Sequence, residues 1–154
     1  MDEIIKITKK LVGDFNDNIG STMDSKSITN TGQAKQSLRV EFDEKSVRSL
    51  GIDYIEILND GRPPGKFAPV DNITEWVRTK LGITEEKELK SVSFLVNRKI
   101  ATEGTEIYKD KSKGLQIDER VKALTSALTF ALPKAAKIDA QILLNKFKLK
   151  TKTI

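Results

Sequence analysis

The sequence predicts an α+β fold: a small antiparallel sheet with helices packed on one side, and a long C-terminal helical segment. Three observations carry this. Apolar residues recur at helical spacing over residues 3–19 and again beyond Asn72. Between those stretches Leu38, Val40 and Phe42 alternate with Arg39 and Glu41, the two-residue period of a half-buried strand. Towards the C-terminus Val121, Leu124, Leu128, Ala131, Ala135, Ile138 and Ile142 form a heptad seam. The 154 residues fit a single domain, 1–154.

Taken in order, the first helix presents Ile4, Ile7, Leu11 and Phe15 on one face, with Ile5, Val12 and Ile19 alongside. Asp2 and Glu3 suit the positive end of its dipole. Residues 20–36 are polar, rich in Ser, Thr and Asn, and lack a period, so they read as a flexible exposed loop. A loop of this length in a compact domain implies a role, such as ordering against a partner. The strand at 37–42 follows, with its turn at Asp43-Glu44-Lys45. Residues 47–50 fit neither pattern. Residues 52–58 are rich in β-formers and predict a second, more buried strand, ended by Asn59-Asp60-Gly61.

Three of the four prolines lie between Gly61 and Pro69. Adjacent Pro63 and Pro64 fix φ and remove two backbone donors, so the segment is stiff and extended. It reads either as a rigid connector with Arg62 in solvent or as an arm presenting Arg62 and Lys66 to a neighbouring subunit. Asn72 with Glu75 matches a capping box. Ile73, Trp76, Val77 and Leu81 form the apolar face that follows, with Trp76 placed in the core, and Gly82 stands where a terminating glycine belongs. Thr84 is the expected cap of the next helix, which carries Leu89, Val92, Val96 and Ile100 with Leu95 beside them and ends at Gly104. Thr105–Tyr108 leans towards strand and 110–114 towards loop. Pro133 interrupts the heptad seam, so a kink or break is expected near Leu132. A seam this short is the mark of an intramolecular core face more than of a coiled coil.

The chain contains no His and no Cys. That excludes disulfides, a thiol nucleophile, a Cys/His zinc site, a Ser-His-Asp triad and a histidine base. Gly61 to Lys66 superficially suggests a phosphate loop, but its prolines remove the N–H groups that would cradle phosphate. The pairs Glu85-Glu86 and Asp118-Glu119 fall at helix N-termini, where the macrodipole accounts for them. No calcium-loop pattern occurs. The expectation is no catalytic residue, no cofactor and no metal. No apolar run approaches the ~20 residues of a membrane span, and the acidic N-terminus lacks the basic start of a secretory signal. A soluble chain kept in a cytoplasm is expected.

The formal net charge is +5. Residues 134–154 contain six lysines and one acid, so this basic helical C-terminal segment carries all of it. Lys146, Lys148, Lys150 and Lys152 are candidate contacts to DNA or to an acidic partner, or else a solvated terminus. Phe147 is the one aromatic among them, fewer than a single-strand binder uses.

Tyr54-Ile-Glu-Ile-Leu-Asn-Asp-Gly-Arg-Pro-Pro-Gly-Lys-Phe-Ala-Pro-Val, then Ile73-x-x-Trp76-Val77-x-x-Lys80-x-Gly82-Ile83, resembles the neck and tail-component proteins of tailed bacteriophages. Phe94-Leu-Val-Asn-Arg98-Lys99-Ile100-Ala-Thr-Glu-Gly104-Thr105 resembles the second helix of the same family and its ending. The lysine-rich, cysteine-free character is similar to versions in crAss-like and related Bacteroidetes phages. The likeness covers about residues 37–110. It implies a head–tail connector or tail-completion protein: a homo-oligomeric ring of roughly six or twelve copies below the portal. Its partners would be itself, the portal or adaptor ring, other neck and tail proteins, and packaged DNA sliding through without sequence-specific binding. It would assemble in the host cytoplasm, reside in the virion and meet no membrane. The resemblance turns the stiff segment into a candidate inter-subunit or ring-to-ring contact made by Arg62, Pro63, Pro64, Gly65, Lys66 and Phe67. Two other readings remain: a small DNA-binding protein using the basic C-terminal segment, and a regulatory or toxin-type protein with a concealed carboxylate site.

Overall fold

The computed structural model describes residues 2–28, 30–43 and 46–151, with side chains described through residue 145. The elements are α1 (Asp2–Ser25), α2 (Gln33–Gln36), β1 (Arg39–Phe42), β2 (Val47–Leu50), α3 (Tyr54–Asp60), α4 (Val70–Leu81), α5 (Glu86–Glu103), α6 (Glu106–Lys109) and α7 (Ile117–Thr151), with a 3₁₀ turn at Lys111–Lys113. This is the α+β composition expected: a two-stranded antiparallel sheet, helices, and a long C-terminal helix.

The chain clusters into two compact units. The first holds Met1–Ile19, Leu38–Leu50 and Ile117–Ile154; the second holds Gly20–Ser37 and Gly51–Gln116. Val12, Ile19 and Ala135 are buried in the first. Met23, Ala34, Leu58, Ala68, Val77, Leu89 and Leu115 are buried in the second.

In the first unit β1 and β2 pair in the register Arg39–Leu50, Val40–Ser49, Glu41–Arg48 and Phe42–Val47. Ser46 closes the turn by donating from its N–H and its hydroxyl to the Asp43 carboxylate, at 2.7 and 2.6 Å. Ser49 donates to buried Asn16 on α1, and Lys9 lies 4.7 Å over the Phe42 ring. Asp139 of α7 is buried and accepts from the Glu3 and Ile4 N–H groups at 3.1 and 3.3 Å. A carboxylate from a distant helix therefore satisfies two of the donors that a helix start leaves unpaired.

Several elements differ from the sequence expectation. The first helix continues six residues past Ile19, into the segment read as loop, because burial follows Val12, Asn16, Ile19 and Met23 along one face. The far end of that segment forms α2, with Ala34 buried. Strand pairing falls on Val47–Leu50, while most of the run from Ile52 to Leu58 forms α3. Its β-forming residues serve burial instead: Leu58 is 4% exposed, and its carbonyl accepts from Leu115 N–H at 3.2 Å. Asn72 is not a cap; α4 begins at Val70 after Pro69, and Glu85, not Thr84, caps α5. Thr105–Tyr108 becomes the capped turn α6, its Thr105 hydroxyl accepting from Tyr108 N–H.

Trp76 is not a core residue. Val77 fills the buried face of α4 at 0% exposure, and Trp76, one helical step round, is 38% exposed. Helix α7 is unbroken through Pro133, which removes one N–H and leaves the Thr129 carbonyl without its intrahelical donor. Ala135 is the one buried member of its heptad seam. Leu124, Leu128 and Ala131 are half-buried, and Val121, Ile138 and Ile142 are exposed.

Candidate interaction surface

The segment Gly61–Pro69 links α3 to α4 within the second unit, and it lies folded against α5 and α6. Each end of the attachment has a local cause. Arg62 N–H donates to the Thr105 hydroxyl at 2.9 Å, and Thr105 N–H donates back to the Arg62 carbonyl at 3.0 Å. Gly65 N–H donates to the Ala101 carbonyl at 2.8 Å. Asn97, 3% exposed, accepts from Ala68 N–H at 2.7 Å and donates to the Ala68 carbonyl at 2.9 Å. The prolines supply stiffness without donors, so the remaining N–H groups of the loop do the fastening.

Gly104 makes the approach possible. Its φ is +78°, and a β-carbon there would sit 2.9 Å from the Arg62 carbonyl oxygen and 2.8 Å from Tyr108 Cδ1. Any other residue would be strained in backbone and would push the loop outward.

The result separates the six candidate residues. Arg62 is half-buried and turned inward: its Nη2 donates to the Phe67 carbonyl at 2.9 Å, clasping the loop. Pro63, Pro64, Gly65, Lys66 and Phe67 face solvent. Lys66 pairs with no acid among the described residues. Phe67 stacks on Phe94 of α5, with ring centroids 6.3 Å apart and planes 22° apart. The two rings are 54% and 58% exposed, although a ring pair of this size normally lies in a core or an interface. Val70, at the start of α4, is 63% exposed.

Sequence reasoning placed Phe67 in the surface and missed Phe94. The signal was present: Phe94 lies off the stripe of Leu89, Val96 and Ile100, on a face that an ordinary surface helix leaves polar.

The charges near this surface are structural. The Glu88 and Lys87 N–H groups hold the Glu85 carboxyl below the usual carboxylate range. Glu103 is lowered by its hydrogen bond to Lys109, and Lys109 is raised in return. All are exposed pairs at the ends of α5 and α6, where they fix helix termini.

No family model matches the chain, and no curated protein or solved structure matches it either. Among the described residues, no group of three or more acids is placed to hold a metal ion, and no helix is long and apolar enough to cross a membrane. Lys146, Lys148 and Lys150 lie on the last turns of α7 with side chains outside the described residues, and Lys152 lies outside them entirely. The arrangement built around Phe67 offers apolar and aromatic surface on a fixed backbone, which suits binding another macromolecule.

Proposed function

We propose that the protein is a structural subunit of a tailed-phage neck, forming a homo-oligomeric ring that joins portal and head to tail around the DNA channel. The reading rests on the resemblance carried by residues 54–70, 73–83 and 94–105. The observation that supports it best is the exposed Phe67–Phe94 stack on a fastened loop. A ring needs a heterologous contact, one face of a subunit meeting a different face of the next. A pre-ordered aromatic surface loses little conformational freedom on docking, so it suits the small, repeated interfaces of a ring. Exposed Val121, Ile138 and Ile142 on α7 give the first unit apolar surface of its own. The portal or adaptor ring and other neck proteins are the proposed partners, and the virion is the proposed location.

The test is sedimentation velocity of the chain alone and with the portal assembly. Phe67→Asp together with Phe94→Ser is expected to leave the circular dichroism spectrum unchanged and to abolish association. Association that is unaffected by both changes overturns the role of this surface. The DNA-binding alternative rests on the C-terminal lysines. It predicts duplex affinity falling steeply between about 50 and 200 mM salt, whereas a ring protein binds duplex weakly at any salt.

A further inference from the structure

We propose that a cleft in the second unit, walled by the approach to α2, by α3 and by α4, is a binding site for an organic cation, either an alkylammonium or a guanidinium group. The cleft is open to solvent and offers about 210 Å³, room for one amino-acid side chain and too little for a nucleotide-sized cofactor. Its chemistry is one-sided. Glu75 is the single ionised side chain among the described lining residues, and its carboxylate has no ion pair and no side-chain hydrogen bond. The Tyr54 hydroxyl makes no hydrogen bond, and the same cleft is lined by Asn30, Gln33 and Asn72. Asn30 Oδ1 is buried at the wall and accepts no hydrogen bond.

An unpaired carboxylate and a phenol offer acceptors at the cleft surface, the Asn30 amide oxygen is buried behind them, and no lysine or arginine lines the cleft among the described residues, the Arg62 charge acting on Tyr54 from outside the lining. A ligand that supplies N–H donors and positive charge complements the carboxylate and the phenol. The Tyr54 ring adds the negative face that favours a cation, and buried Leu58 is among the apolar lining residues. Partial desolvation raises the Tyr54 phenol, against the smaller lowering effect of the Arg62 charge. An anion is disfavoured by Glu75, and a purely apolar ligand would leave every one of these polar groups unpaired. This inference does not depend on ring assembly.

The experiment is ¹⁵N–¹H NMR titration of the full chain with butylguanidinium chloride, with butylurea as the neutral isostere. Saturable shifts confined to the amides around Asn30, Gln33, Tyr54 and Asn72 are expected. Butylurea and the Glu75→Gln variant should each bind about tenfold more weakly. Tyr54→Leu is the second variant, and it should weaken butylguanidinium more than it weakens butylurea. Equal binding of the two probes, full retention by Glu75→Gln, or shifts that never saturate would overturn the site. A final arm separates two sources of the cation. If the chain self-associates and butylguanidinium dissociates it, the natural occupant is a Lys or Arg side chain of a second copy. If the chain does not self-associate, or its association is untouched, it is a free small amine. Either result upholds the site.

Discussion

Asn97 is where one side chain does most to hold the candidate surface in place. It is buried, and it pairs with both the N–H and the carbonyl of Ala68. Asn97→Ala strands both backbone groups, so a loss of about 1–3 kcal/mol is expected, read as a lower urea midpoint. Hydrogen exchange at the Ala68 amide should accelerate more than exchange elsewhere in the second unit. Gly104→Ala acts on the same loop by another route, forcing a β-carbon against the Arg62 carbonyl at positive φ; about 1–3 kcal/mol is again expected. At this scale the sequence was half legible. Gly61-Arg-Pro-Pro-Gly65 stands out by composition, and its rigidity follows from proline chemistry. That Arg62 would clasp Phe67 and not reach outward depends on a carbonyl five residues on, which no spacing rule anticipates. Asn97 and Asp139 were invisible for a related reason. A polar residue inside an apolar stripe reads as an interruption until the backbone it serves, 29 or 136 residues away, is in place.

At the level of elements, helices with a regular stripe and a terminating glycine were legible: α4 ends at Gly82 and α5 at Gly104 as the pattern requires. The hairpin's first strand was legible from alternation, its second was not, since Val47–Leu50 offers too short a period. Helix α3 shows tertiary packing overriding β propensity. Helix α1 carries a testable inefficiency. Gly13 sits mid-helix, and a β-carbon there meets nothing within 4 Å. Gly13→Ala should therefore stabilise the protein by about 0.5–1 kcal/mol, seen as a higher melting temperature.

Acid should act on the termini of α5 and α6 and, in the first unit, on buried Asp139, which is also held below its ordinary value. Glu85, Glu86, Glu103, Glu106 and Asp110 are all held below their ordinary values, Glu86 by Lys90, Glu106 by Lys113 and Lys109, and Asp110 by Ser112. A carboxyl whose folded value is lowered contributes stability above its unfolded value and loses it as pH falls through the folded one. The urea midpoint should hold from neutral pH to about pH 5 and decline as pH falls towards about 3. The share of the decline that comes from α5 and α6 should be modest because those pairs are exposed and screened. A midpoint that rises on acidification would contradict the assignment.

For the whole molecule, the class of fold was legible, whereas the division into two units was not. Both units draw on segments far apart in sequence, and one boundary runs through α1 after Ile19, where the composition change at residue 20 reads as the end of a helix and not as a passage between units. What the two units share is apolar surface left in solvent: Phe67 and Phe94 in one, Ile138 and Ile142 in the other. Singly exposed apolar side chains are ordinary, and it is the adjoining Phe67 and Phe94 rings that form a patch. On the reading proposed above, the covering surfaces are neighbouring copies and adjacent virion rings. Electron cryomicroscopy of the assembled phage neck tests this most directly. The account predicts density for this chain in a closed ring around the DNA channel, with the Phe67–Phe94 surface buried against the next copy or an adjacent ring. A neck whose rings are all filled by other chains would contradict it.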